Sequence, residues 1–523
     1  MSSLLDALQE SVHTCPDKPF LYDKQGVISF RELDEQSDRL ATAFLQIGIQ
    51  RGDKIGICAL NQPEWLMTFF AAAKIGAVVV TLNPRYRAAE FDYMLNQSEC
   101  KALVCLDTLQ DFDYASFFGQ FRTHVPKLTH YIFIGNGFEG SYSFAQLAEK
   151  ETDREQLLQA RQQVQDDDTL IMIYTSGTTG KPKGSMITHR SMTSSARAEA
   201  QHLRFGAEDN IICSLPLSHV GGITCTILSA LVSQASVTLI PSFRPDWVLE
   251  AIHQGKPTIM AGVPTMYVML LGYKDIDRCN FSPIRYCIVG GSNVDPDLLQ
   301  RIRMKMPQAR IINLYGLSET SGACVLSPLH DEWEEAAKSL GVAIGDYQIK
   351  VVDEHKQEVP RGAVGELTIQ GECVAKGYYD MPEETEEAFG PEGWLYTGDL
   401  ASIDENSLIH FKGRKKEMYI QGGYNVYPIE IENVLASHPK VAIAAGIGVP
   451  HEVYGEVGHY YIVPVPDQEP ASEELMTFCR ACLADYKVPF SFEFVNQLPL
   501  TPAGKVQKVT LKQQYAQKRS MQR

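Results

Sequence analysis

A short run of hydroxyl-bearing, glycine and lysine residues is the first feature of the sequence that could do chemistry. It reads Tyr174-Thr175-Ser176-Gly177-Thr178-Thr179-Gly180-Lys181-Pro182-Lys183-Gly184 and follows an apolar run at 170–173. Glycines let backbone N–H groups point inward as an anion nest, hydroxyls add donors, and lysines add positive charge. The run therefore predicts a loop that binds a polyphosphate at the end of a buried strand.

The spacing excludes a Walker A loop. That motif needs four residues between one glycine and a following Gly-Lys pair, whereas the fifth residue after Gly177 is Pro182. A flexible surface loop is the alternative that this composition allows. The preceding strand and the downstream residues described below favour phosphate binding.

The composition is that of an ordinary globular protein with more than one domain. The 523 residues are 44% hydrophobic and 21% charged, and the formal net charge of −17 argues against a general nucleic-acid binder. The twelve cysteines include Cys479 and Cys482 but no second pair at zinc spacing, so reduced thiols in the cytoplasm are expected. No secretion signal is apparent, and Lys74 and Gly76 interrupt the most apolar window, which predicts a helix and a strand rather than a membrane span.

The elements that must position the loop alternate between strands and helices. Predicted strands at 54–60, 77–82 and 102–106 are separated by helical patterns, which indicates βαβ units and a largely parallel sheet. Further strands at 211–215, 286–289 and 311–314 each end in glycine-rich or polar residues. Ligands in open α/β sheets lie at the carboxyl ends of strands, so these ends should surround one site.

The sequence texture changes after about residue 340. Short β segments at 348–353, 365–370 and 408–412 predict a small β subdomain, and the charged run Gly413-Arg414-Lys415-Lys416-Glu417 is typical of a linker. A compact unit of helices and strands follows from Pro428. We therefore predict an α/β fold, in which a large N-terminal domain at 1–413 contains parallel α/β sheets and the small β subdomain, and a small α+β domain occupies 414–523.

Six motifs, in this order and spacing, resemble those of the adenylate-forming superfamily of acyl-CoA synthetases, luciferase and peptide-synthetase adenylation domains. They are the loop at 174–184, Tyr315-Gly316-Leu317-Ser318-Glu319, Tyr396-Thr397-Gly398-Asp399, Gly413-Arg414, Gly422-Gly423-Tyr424-Asn425 and Pro502-Ala503-Gly504-Lys505. The resemblance covers nearly the whole chain and is closest to fatty acyl-CoA ligases. It implies that ATP and a carboxylic acid form acyl-AMP and pyrophosphate with the help of Mg²⁺, and that coenzyme A then takes the acyl group.

The resemblance implies that Lys505, Arg414 and Glu319 are catalytic. Lys505 would stabilise charge at the carboxylate and α-phosphate, Glu319 would bind Mg²⁺, and Arg414 would lie beside the ribose-binding Asp399. The residues implied to bind ATP or AMP are Thr175, Ser176, Gly177, Thr178, Thr179, Gly180, Lys181, Lys183, Gly291, Ser292, Asn313, Tyr315, Gly316, Ser318, Asp399, Arg414 and Lys505.

The residues implied to bind the acid are His219, Val220, Gly262, Gly290 and Gly291. The segment at 217–223 lacks the Asp with which amino-acid-activating relatives pair the substrate ammonium, and an unpaired buried ammonium is costly, so an amino acid is disfavoured. The run from Gly262 to Tyr267, which would form a wall of the acid pocket, is mostly apolar. This favours a monocarboxylic fatty or aromatic acid. An aryl-acid or o-succinylbenzoate CoA ligase, a ligase that loads a carrier protein, and a binding protein or luciferase-like relative stay open, as does a purely structural role for His219.

The resemblance also implies that the C-terminal domain is a mobile lid that rotates between the two half-reactions. Lys416 falls at the hinge, and Gly422, Gly423 and Tyr454 would then contact CoA. Tyr424 stands where the family often has Glu. The expected partners are the acid, ATP and CoA, without nucleic acid; peripheral membrane contact, a monomer and a homodimer stay open.

Overall fold

The computed structural model describes residues 4–175, 181–291, 296–329, 338–500 and 506–521. Over these residues the chain forms two large, mostly parallel sheets, a four-stranded antiparallel sheet and a C-terminal five-stranded sheet, with one two-stranded hairpin. Helices connect the strands of both large sheets, as the alternating sequence pattern predicts. The predicted α/β class is confirmed.

The seven-stranded sheet carries the predicted phosphate loop at its edge. In spatial order its strands are Lys183–Thr188, Thr169–Thr175, Val78–Thr81, Lys54–Cys58, Cys100–Leu106, His130–Ile134 and Tyr142–Ser143. Every neighbouring pair is parallel except the first, in which the strand that leaves the loop returns antiparallel to the strand that enters it. The central strands are apolar because they are covered on both faces.

The nine-stranded sheet carries the other predicted strand-end motifs. In spatial order its strands are Val342–Ala343, Gly322–Leu326, Arg310–Leu317, Tyr286–Gly290, Ile259–Gly262, Asn210–Cys213, Ser236–Leu239, Pro19–Tyr22 and Val27–Ser29. The five strands from Arg310–Leu317 to Ser236–Leu239 are mutually parallel, so their carboxyl ends share one edge. This common edge is what brings the glycine-rich ends at positions 262, 290 and 316 together.

Helices cover these two sheets, and capping residues mark the ends of some of them. In chain order the helices of the N-terminal region are Leu4–Thr14, Phe30–Gln46, Pro63–Ile75, Ala88–Gln97, Tyr114–Phe121, Phe144–Ala148, Arg154–Gln163, His189–His202, Val220–Gly222, Ser229–Val232, Pro245–Gly255, Pro264–Leu271, Pro296–Lys305 and Pro382–Ala388. A capping box of Ser29 and Glu32 starts the second helix, and Gly76, at φ 69°, ends the third in the left-handed conformation. Among the helices of the described residues, none combines the length and apolarity that crossing a membrane requires.

The predicted β subdomain is a four-stranded antiparallel sheet. Its strands are Gln348–Val352, Gly365–Gln370, Trp394–Ile403 and Ile409–Arg414. The third strand, which was not predicted, contains Asp399, and the fourth ends at Arg414, so this arginine belongs to the sheet and not to the linker. The turn that contains Lys415 and Lys416 follows directly.

The C-terminal unit packs three helices against a five-stranded sheet. Its strands are Tyr419–Gln421, Tyr424–Val426, Val441–His451, Gly455–Pro464 and Ser491–Phe494, and its helices are Pro428–Ala436, Ser472–Cys482 and Lys508–Met521. Two apolar clusters, one around Tyr460 and one around Tyr461, lie on opposite sides of the long strand that contains both residues. Alternating side chains of one strand thus supply two small cores.

Two stretches depart from the simple alternating pattern. Residues 107–150, whose sequence predicts little, form the hairpin Thr108–Leu109 and Phe112–Asp113, two short helices and two further strands of the seven-stranded sheet. Residues Ile223–Leu228 form a π-helix between Val220–Gly222 and Ser229–Val232. Single-turn π segments in proteins are often found at functional sites.

The neighbouring helix His189–His202 places a fully buried carboxyl group beside the residue that follows this π-helix. Glu199 Oε2 accepts a hydrogen bond from Ser229 Oγ at 2.9 Å, and within the described residues Oε1 has no hydrogen-bond partner. Burial raises the pKa of Glu199 to about 8 from its ordinary value of 4.5. The folded chain therefore keeps a proton here that the unfolded chain releases at lower pH.

Glu199 should make stability fall with rising pH. Between pH 4.5 and about 8 only the folded state holds the proton, so its contribution to the free energy of unfolding decreases there, by about 1.4 kcal/mol per pH unit. Glu199→Gln removes this dependence, so the thermal midpoint of the variant should rise relative to wild type between pH 5 and pH 8. Glu250→Gln, at an exposed helical position, is the control. A difference in midpoint between wild type and Glu199→Gln that is the same at both pH values would contradict the assignment.

Candidate active site

The two ends of the predicted phosphate loop are held opposite each other at the edge of the seven-stranded sheet. Thr175 pairs with Lys183 in the antiparallel register, and residues 176–180 between them lie outside the described residues. Helix Ala88–Gln97 anchors both ends, because Tyr93 donates to the carbonyl of Pro182 at 2.8 Å and Tyr174 donates to Gln97 Oε1 at 2.5 Å. The two described ends of the loop are thus both fixed to the same helix.

Of the site residues predicted in this loop, Thr175, Lys181 and Lys183 are described. Lys181 is exposed, whereas Lys183 is nearly buried at 6% exposure. The ammonium of Lys183 lies 5.0 Å from the ring centroid of Tyr378, within the range of a cation–π contact. The predicted residues Ser176, Gly177, Thr178, Thr179 and Gly180 lie outside the described residues.

Glu319 faces the loop from the nine-stranded sheet. It lies in the short 3₁₀ helix Ser318–Thr320, which directly follows the strand Arg310–Leu317. Its Oε1 accepts hydrogen bonds from Tyr378 at 2.8 Å and, more weakly, from Thr175 Oγ1 at 3.4 Å. Both described hydrogen bonds go to the same oxygen, and Oε2 has none among the described residues. A hard cation such as Mg²⁺ suits this carboxylate oxygen.

A second polar cluster joins the nine-stranded sheet to the β subdomain. Tyr315 donates to Asp399 Oδ2 at 2.7 Å, and Arg414 Nε lies 3.2 Å from Asp399 Oδ1. Asp399 and Arg414 are directly paired across antiparallel strands, and Asp399 is 2% exposed. Asp399 raises the pKa of Arg414, while burial and then Asp399 raise the pKa of Tyr315. The cluster therefore keeps Tyr315 neutral and Arg414 charged.

Three glycines beside this cluster occupy positions that a side chain could not take. A Cβ at Gly290 would lie 2.6 Å from the carbonyl oxygen of Leu314, and one at Gly316 would lie 2.1 Å from that of Gly322. Gly291 has φ 80°, which a side chain would strain. Glycine at 290 and 316 thus lets neighbouring backbone segments of the sheet approach closely at this edge. Ser292, which is also predicted to bind ATP or AMP, lies outside the described residues.

Asn313 and Ser318 are also close to this edge. The amide of Asn313 donates to the carbonyl of Ser339 at 2.9 Å, and its backbone N–H donates to Ser327 Oγ at 2.9 Å. Ser318 is buried at the start of the 3₁₀ helix. Hydrogen bonds within the protein thus fix both the backbone and the side chain of Asn313.

The predicted acid-binding residues lie at neighbouring strand ends. His219 Nδ1 accepts from the backbone N–H of Gly221 at 3.1 Å, which places the ring proton on Nε2 when the imidazole is neutral. Val220 starts the short helix that continues into the π-helix. Gly262 ends its strand against the ring of Tyr267, 3.3 Å from where a Cβ would be. The segments 214–223 and 262–267 contain no Asp, Glu, Lys or Arg.

The predicted CoA-binding residues lie together on the C-terminal unit. The N–H of Gly422 donates to the carbonyl of Tyr454 at 2.9 Å, and the ring of Tyr454 stacks on His451 with centroids 5.2 Å apart. Gly422 and Gly423 have φ of 58° and 88° and are exposed, as is Tyr454. Lys416 is exposed in the turn after Arg414, and Lys505 lies outside the described residues.

Sequence reasoning missed Tyr378. Its hydroxyl contacts Glu319 and its ring contacts Lys183, so it joins two of the predicted motifs. A tyrosine in the run Gly377-Tyr378-Tyr379 gives no local sign of this, because its partners are 59 and 195 positions earlier in the chain (378 − 319 and 378 − 183).

Two family models match the chain. The model described as AMP-binding enzyme matches residues 8–379, and the model described as AMP-binding enzyme C-terminal domain matches residues 430–505. The first match alone spans more than half of the chain. Both matched ranges agree with the order of a large N-terminal unit and a small C-terminal one.

Relatives and solved structures are similar over almost the full length. YngI of Bacillus subtilis (strain 168) is 33% identical over 527 residues, covering 97% of this chain and 96% of that protein. The mitochondrial medium-chain acyl-CoA ligase ACSF2 of Rattus norvegicus is 30% identical over 512 residues, covering 94% and 83%. The ATP-bound crystal structure of MatB from Rhodopseudomonas palustris superposes with a TM-score of 0.88 at 28% identity, covering 98% and 99% of the two chains.

Proposed function

This chain belongs to the family of AMP-binding enzymes and is an AMP-forming acid–CoA ligase that uses ATP, Mg²⁺ and CoA, and on that premise we propose that the acid it activates is a fatty acid. The observation that carries the proposal is the composition of the acid-binding stretch. Residues 214–223 and 262–267 offer neither a carboxylate for a substrate ammonium nor a cation for a second carboxylate. A single carboxylate on an apolar body fits such a wall.

We assign the nucleotide to the edge shared by the two large sheets. Asp399 would accept hydrogen bonds from the ribose hydroxyls, with Arg414 and Tyr315 fixing its carboxylate from either side. The adenine ring would lie in a slot formed by residues 290–292 and 313–315, where Gly290 ends one strand of the nine-stranded sheet and residues 313–315 lie in the neighbouring strand. The loop that joins Thr175 to Lys183 would surround the β- and γ-phosphates, which become the leaving pyrophosphate.

We assign the magnesium ion of MgATP to Glu319. The described residues contain no group of three or more His, Cys, Asp and Glu that could hold a metal, so the ion would be shared between one carboxylate oxygen and phosphate oxygens, as Mg²⁺ often is. When bound, the ion neutralises phosphate charge. Lys183, nearly buried beside Tyr378, adds a fixed positive charge on the same side.

In the first half-reaction the substrate carboxylate attacks the α-phosphorus and pyrophosphate leaves. Both reactants are anions, so the residues must reduce their repulsion and align them. We assign this role to Lys505, with Arg414 adding positive charge beside the ribose site. His219 and Val220 would fix the acid at the strand end near Gly262 and Gly290.

In the second half-reaction a thiol attacks the acyl-adenylate and AMP leaves. We place the domain boundary after Arg414, one residue later than the sequence predicts, and the hinge at Lys416, because the last strand of the β subdomain ends at Arg414 and an exposed turn follows. Rotation there would remove Lys505 and bring in the exposed Gly422–Gly423 loop next to Tyr454. Two adjacent glycines leave backbone alone to line a narrow pantetheine passage.

A cytoplasmic location is part of the proposal. All twelve cysteines are free thiols and nine of them are buried. Free thiols in this number suit a reducing compartment. Fractionation of the expressing cells, with a cytoplasmic and a membrane marker, tests the location and any peripheral membrane contact together.

A panel of acids tests the proposed function. Medium- and long-chain fatty acids, benzoate, o-succinylbenzoate and amino acids are each incubated with enzyme, ATP and Mg²⁺, and AMP release is measured with and without CoA. Fatty acids should support the largest kcat/KM, with thioester formed on free CoA. A preference for an aryl acid by more than tenfold would overturn the substrate assignment, and thioester formed only on a carrier protein would overturn the acceptor.

A further inference from the structure

Tyr378 touches both charged groups that the proposed function places around the phosphates. Its hydroxyl donates to Glu319 Oε1 at 2.8 Å, and the Lys183 ammonium lies 5.0 Å from its ring centroid. The tyrosine is 8% exposed. In the described part of the chain Lys183 and Glu319 form no ion pair with each other, although the ammonium contacts the ring of Tyr378 and the carboxylate contacts its hydroxyl.

The backbone around Tyr378 is fixed to the strand that leaves the phosphate loop. Tyr378 forms an antiparallel bridge with Ser185, and the N–H of Tyr379 donates to the carbonyl of Gly184 at 2.9 Å. The N–H of Tyr378 itself donates to Thr385 Oγ1 at 3.0 Å. These contacts set the distance of the ring from Lys183, which begins the same strand.

The ring of Tyr378 is fixed as well. It meets Phe389 edge to face, with centroids 5.4 Å apart and an interplanar angle of 77°. Glu319 is held independently, because its own carbonyl accepts from the N–H of Ala375 at 2.8 Å. Contacts of the side chain and of the backbone thus hold the phenol against the carboxylate.

We propose that Tyr378 is a positioning residue that keeps Lys183 and Glu319 apart and directs one oxygen of Glu319 to the metal of MgATP. This inference rests on the proposed function, in which Glu319 holds Mg²⁺ and Lys183 the phosphates. A nearby ammonium and carboxylate attract strongly in a partly buried site. An ion pair between them would occupy both groups, and each incoming MgATP would have to break it.

The ring and the hydroxyl of Tyr378 prevent that ion pair in different ways. The ring face attracts the ammonium of Lys183 without taking up its hydrogen-bond donors. The hydroxyl occupies Glu319 Oε1, so Oε2 remains for the cation. Burial, and then the charge of Glu319, raise the pKa of Tyr378, so the hydroxyl stays a donor throughout the neutral range.

The test measures ATP–pyrophosphate exchange as a function of Mg²⁺ concentration in the full-length protein. Tyr378→Phe keeps the ring and removes the donor, so half-maximal exchange should need about tenfold more Mg²⁺, the factor that one hydrogen bond to a charged group is worth. Tyr378→Leu also removes the ring face and should cost more than Phe in kcat/KM for ATP. Tyr379→Phe is the matched control, because that hydroxyl contacts Lys54 and Glu99 instead and its Mg²⁺ dependence should equal that of wild type.

A double-mutant cycle separates positioning from a general effect on structure. In a Glu319→Gln background, Tyr378→Phe should change the Mg²⁺ dependence by less than about twofold, since the charged partner is gone. Equal Mg²⁺ dependence of wild type and Tyr378→Phe, or equal fold losses in both backgrounds, would overturn the inference. The thermal midpoint of Tyr378→Phe should match that of Tyr379→Phe.

Failure of the proposed function gives a different result. Wild-type protein without pyrophosphate exchange on any acid would overturn the activity itself. Normal exchange in which Glu319→Gln has wild-type Mg²⁺ dependence would overturn the metal assignment and, with it, the role of Tyr378. Normal exchange with a Glu319-dependent Mg²⁺ profile that Tyr378→Phe leaves unchanged would overturn the positioning role alone.

Discussion

Lys505→Ala should slow acyl-adenylate formation by about 10²–10³-fold, the usual cost of removing one preorganised group from a site of developing charge. The lysine would stabilise the negative charge shared by the attacking carboxylate and the α-phosphate. The variant keeps all residues of the large domain that would bind ATP and the acid in the ground state. The loss of rate should therefore appear in kcat more than in KM for ATP. Pyrophosphate exchange measures this step directly.

The surroundings of Lys505 indicate that its truncation should leave the fold intact. Residues 501–505 lie outside the described residues, but both ends of this segment are fixed. Leu500 bridges to Val506, and the N–H of Gln507 donates to the carbonyl of Pro499 at 2.8 Å. These backbone contacts do not depend on the side chain at position 505.

A nearby lysine shows the contrasting, structural role. Lys508 Nζ lies 2.8 Å from Glu417 and 2.7 Å from Glu432, with 14% of its side chain exposed. It joins the turn after the proposed hinge to the last helix, so truncating it should reduce stability. Lys512, exposed one turn later, is therefore the better control for Lys505.

Two measurements decide the role of Lys505. Lys512→Ala should keep the wild-type exchange rate, and both variants should keep the wild-type thermal midpoint. Chemically prepared acyl-AMP, given with CoA, should be converted to thioester by Lys505→Ala at close to the wild-type rate, because the lysine is withdrawn in that step. Wild-type exchange in the Lys505 variant would contradict the assignment.

The parts of the site that the sequence predicts well are those that depend on local order along a strand. A motif at the end of a buried strand in a parallel sheet must lie at the carboxyl edge, which is why Gly262, Gly290 and Gly316 are brought together as expected. Asp399 and Arg414 also meet as predicted, but the reason is not visible in either motif. They meet because an antiparallel register pairs them directly.

The parts that the sequence does not predict depend on contacts between distant segments. Tyr378 reaches Glu319 only because the segment before it runs alongside the strand that leaves the phosphate loop. The π-helix Ile223–Leu228 packs against the helix His189–His202, which carries Glu199. Neither feature has a local sequence signature.

The sequence correctly predicts that the segment around Lys74 is a helix and a strand, but it does not show where the lysine side chain lies. Its charge argues against a membrane span, and the segment is indeed a helix followed by a strand. Yet the side chain is fully buried, which a pattern of apolar residues cannot reveal. Its partners lie on another helix, 36 to 40 positions earlier in the chain.

Those partners surround the ammonium completely. Lys74 Nζ donates to Asp34 Oδ1 and to the Asp34 carbonyl, both at 2.7 Å, to Ser37 Oγ at 2.7 Å and to Asp38 Oδ1 at 2.6 Å. Arg161 from a third helix also contacts Asp38, at 2.5 Å. Two cations thus balance two carboxylates among three helices, beside a cavity of about 350 Å³.

Lys74→Met should destabilise the protein by about 3–5 kcal/mol, the typical cost of removing one partner of a buried ion pair. Methionine keeps the apolar stem but leaves Asp34 and Asp38 with Arg161 as their remaining cation, so one buried negative charge is no longer balanced. Lys127→Met is the matched control, because Lys127 pairs with Glu99 at the surface, with 63% of its side chain exposed, and should change stability by less than about 1 kcal/mol.

The position of the cluster around Lys74 allows its effect on stability to be measured separately from any effect on catalysis. Its residues lie on the helices Phe30–Gln46, Pro63–Ile75 and Arg154–Gln163, and none of them contacts the loop, Glu319 or Asp399 through a described hydrogen bond or ion pair. Lys74→Met should therefore lower the midpoint of urea unfolding while the folded enzyme keeps its kcat. Adding Asp34→Asn should recover part of the loss, because it restores the charge balance. A Lys74→Met variant as stable as Lys127→Met would show that the buried lysine is no more than tolerated, and a lower kcat at unchanged stability would place it in communication with the phosphate loop.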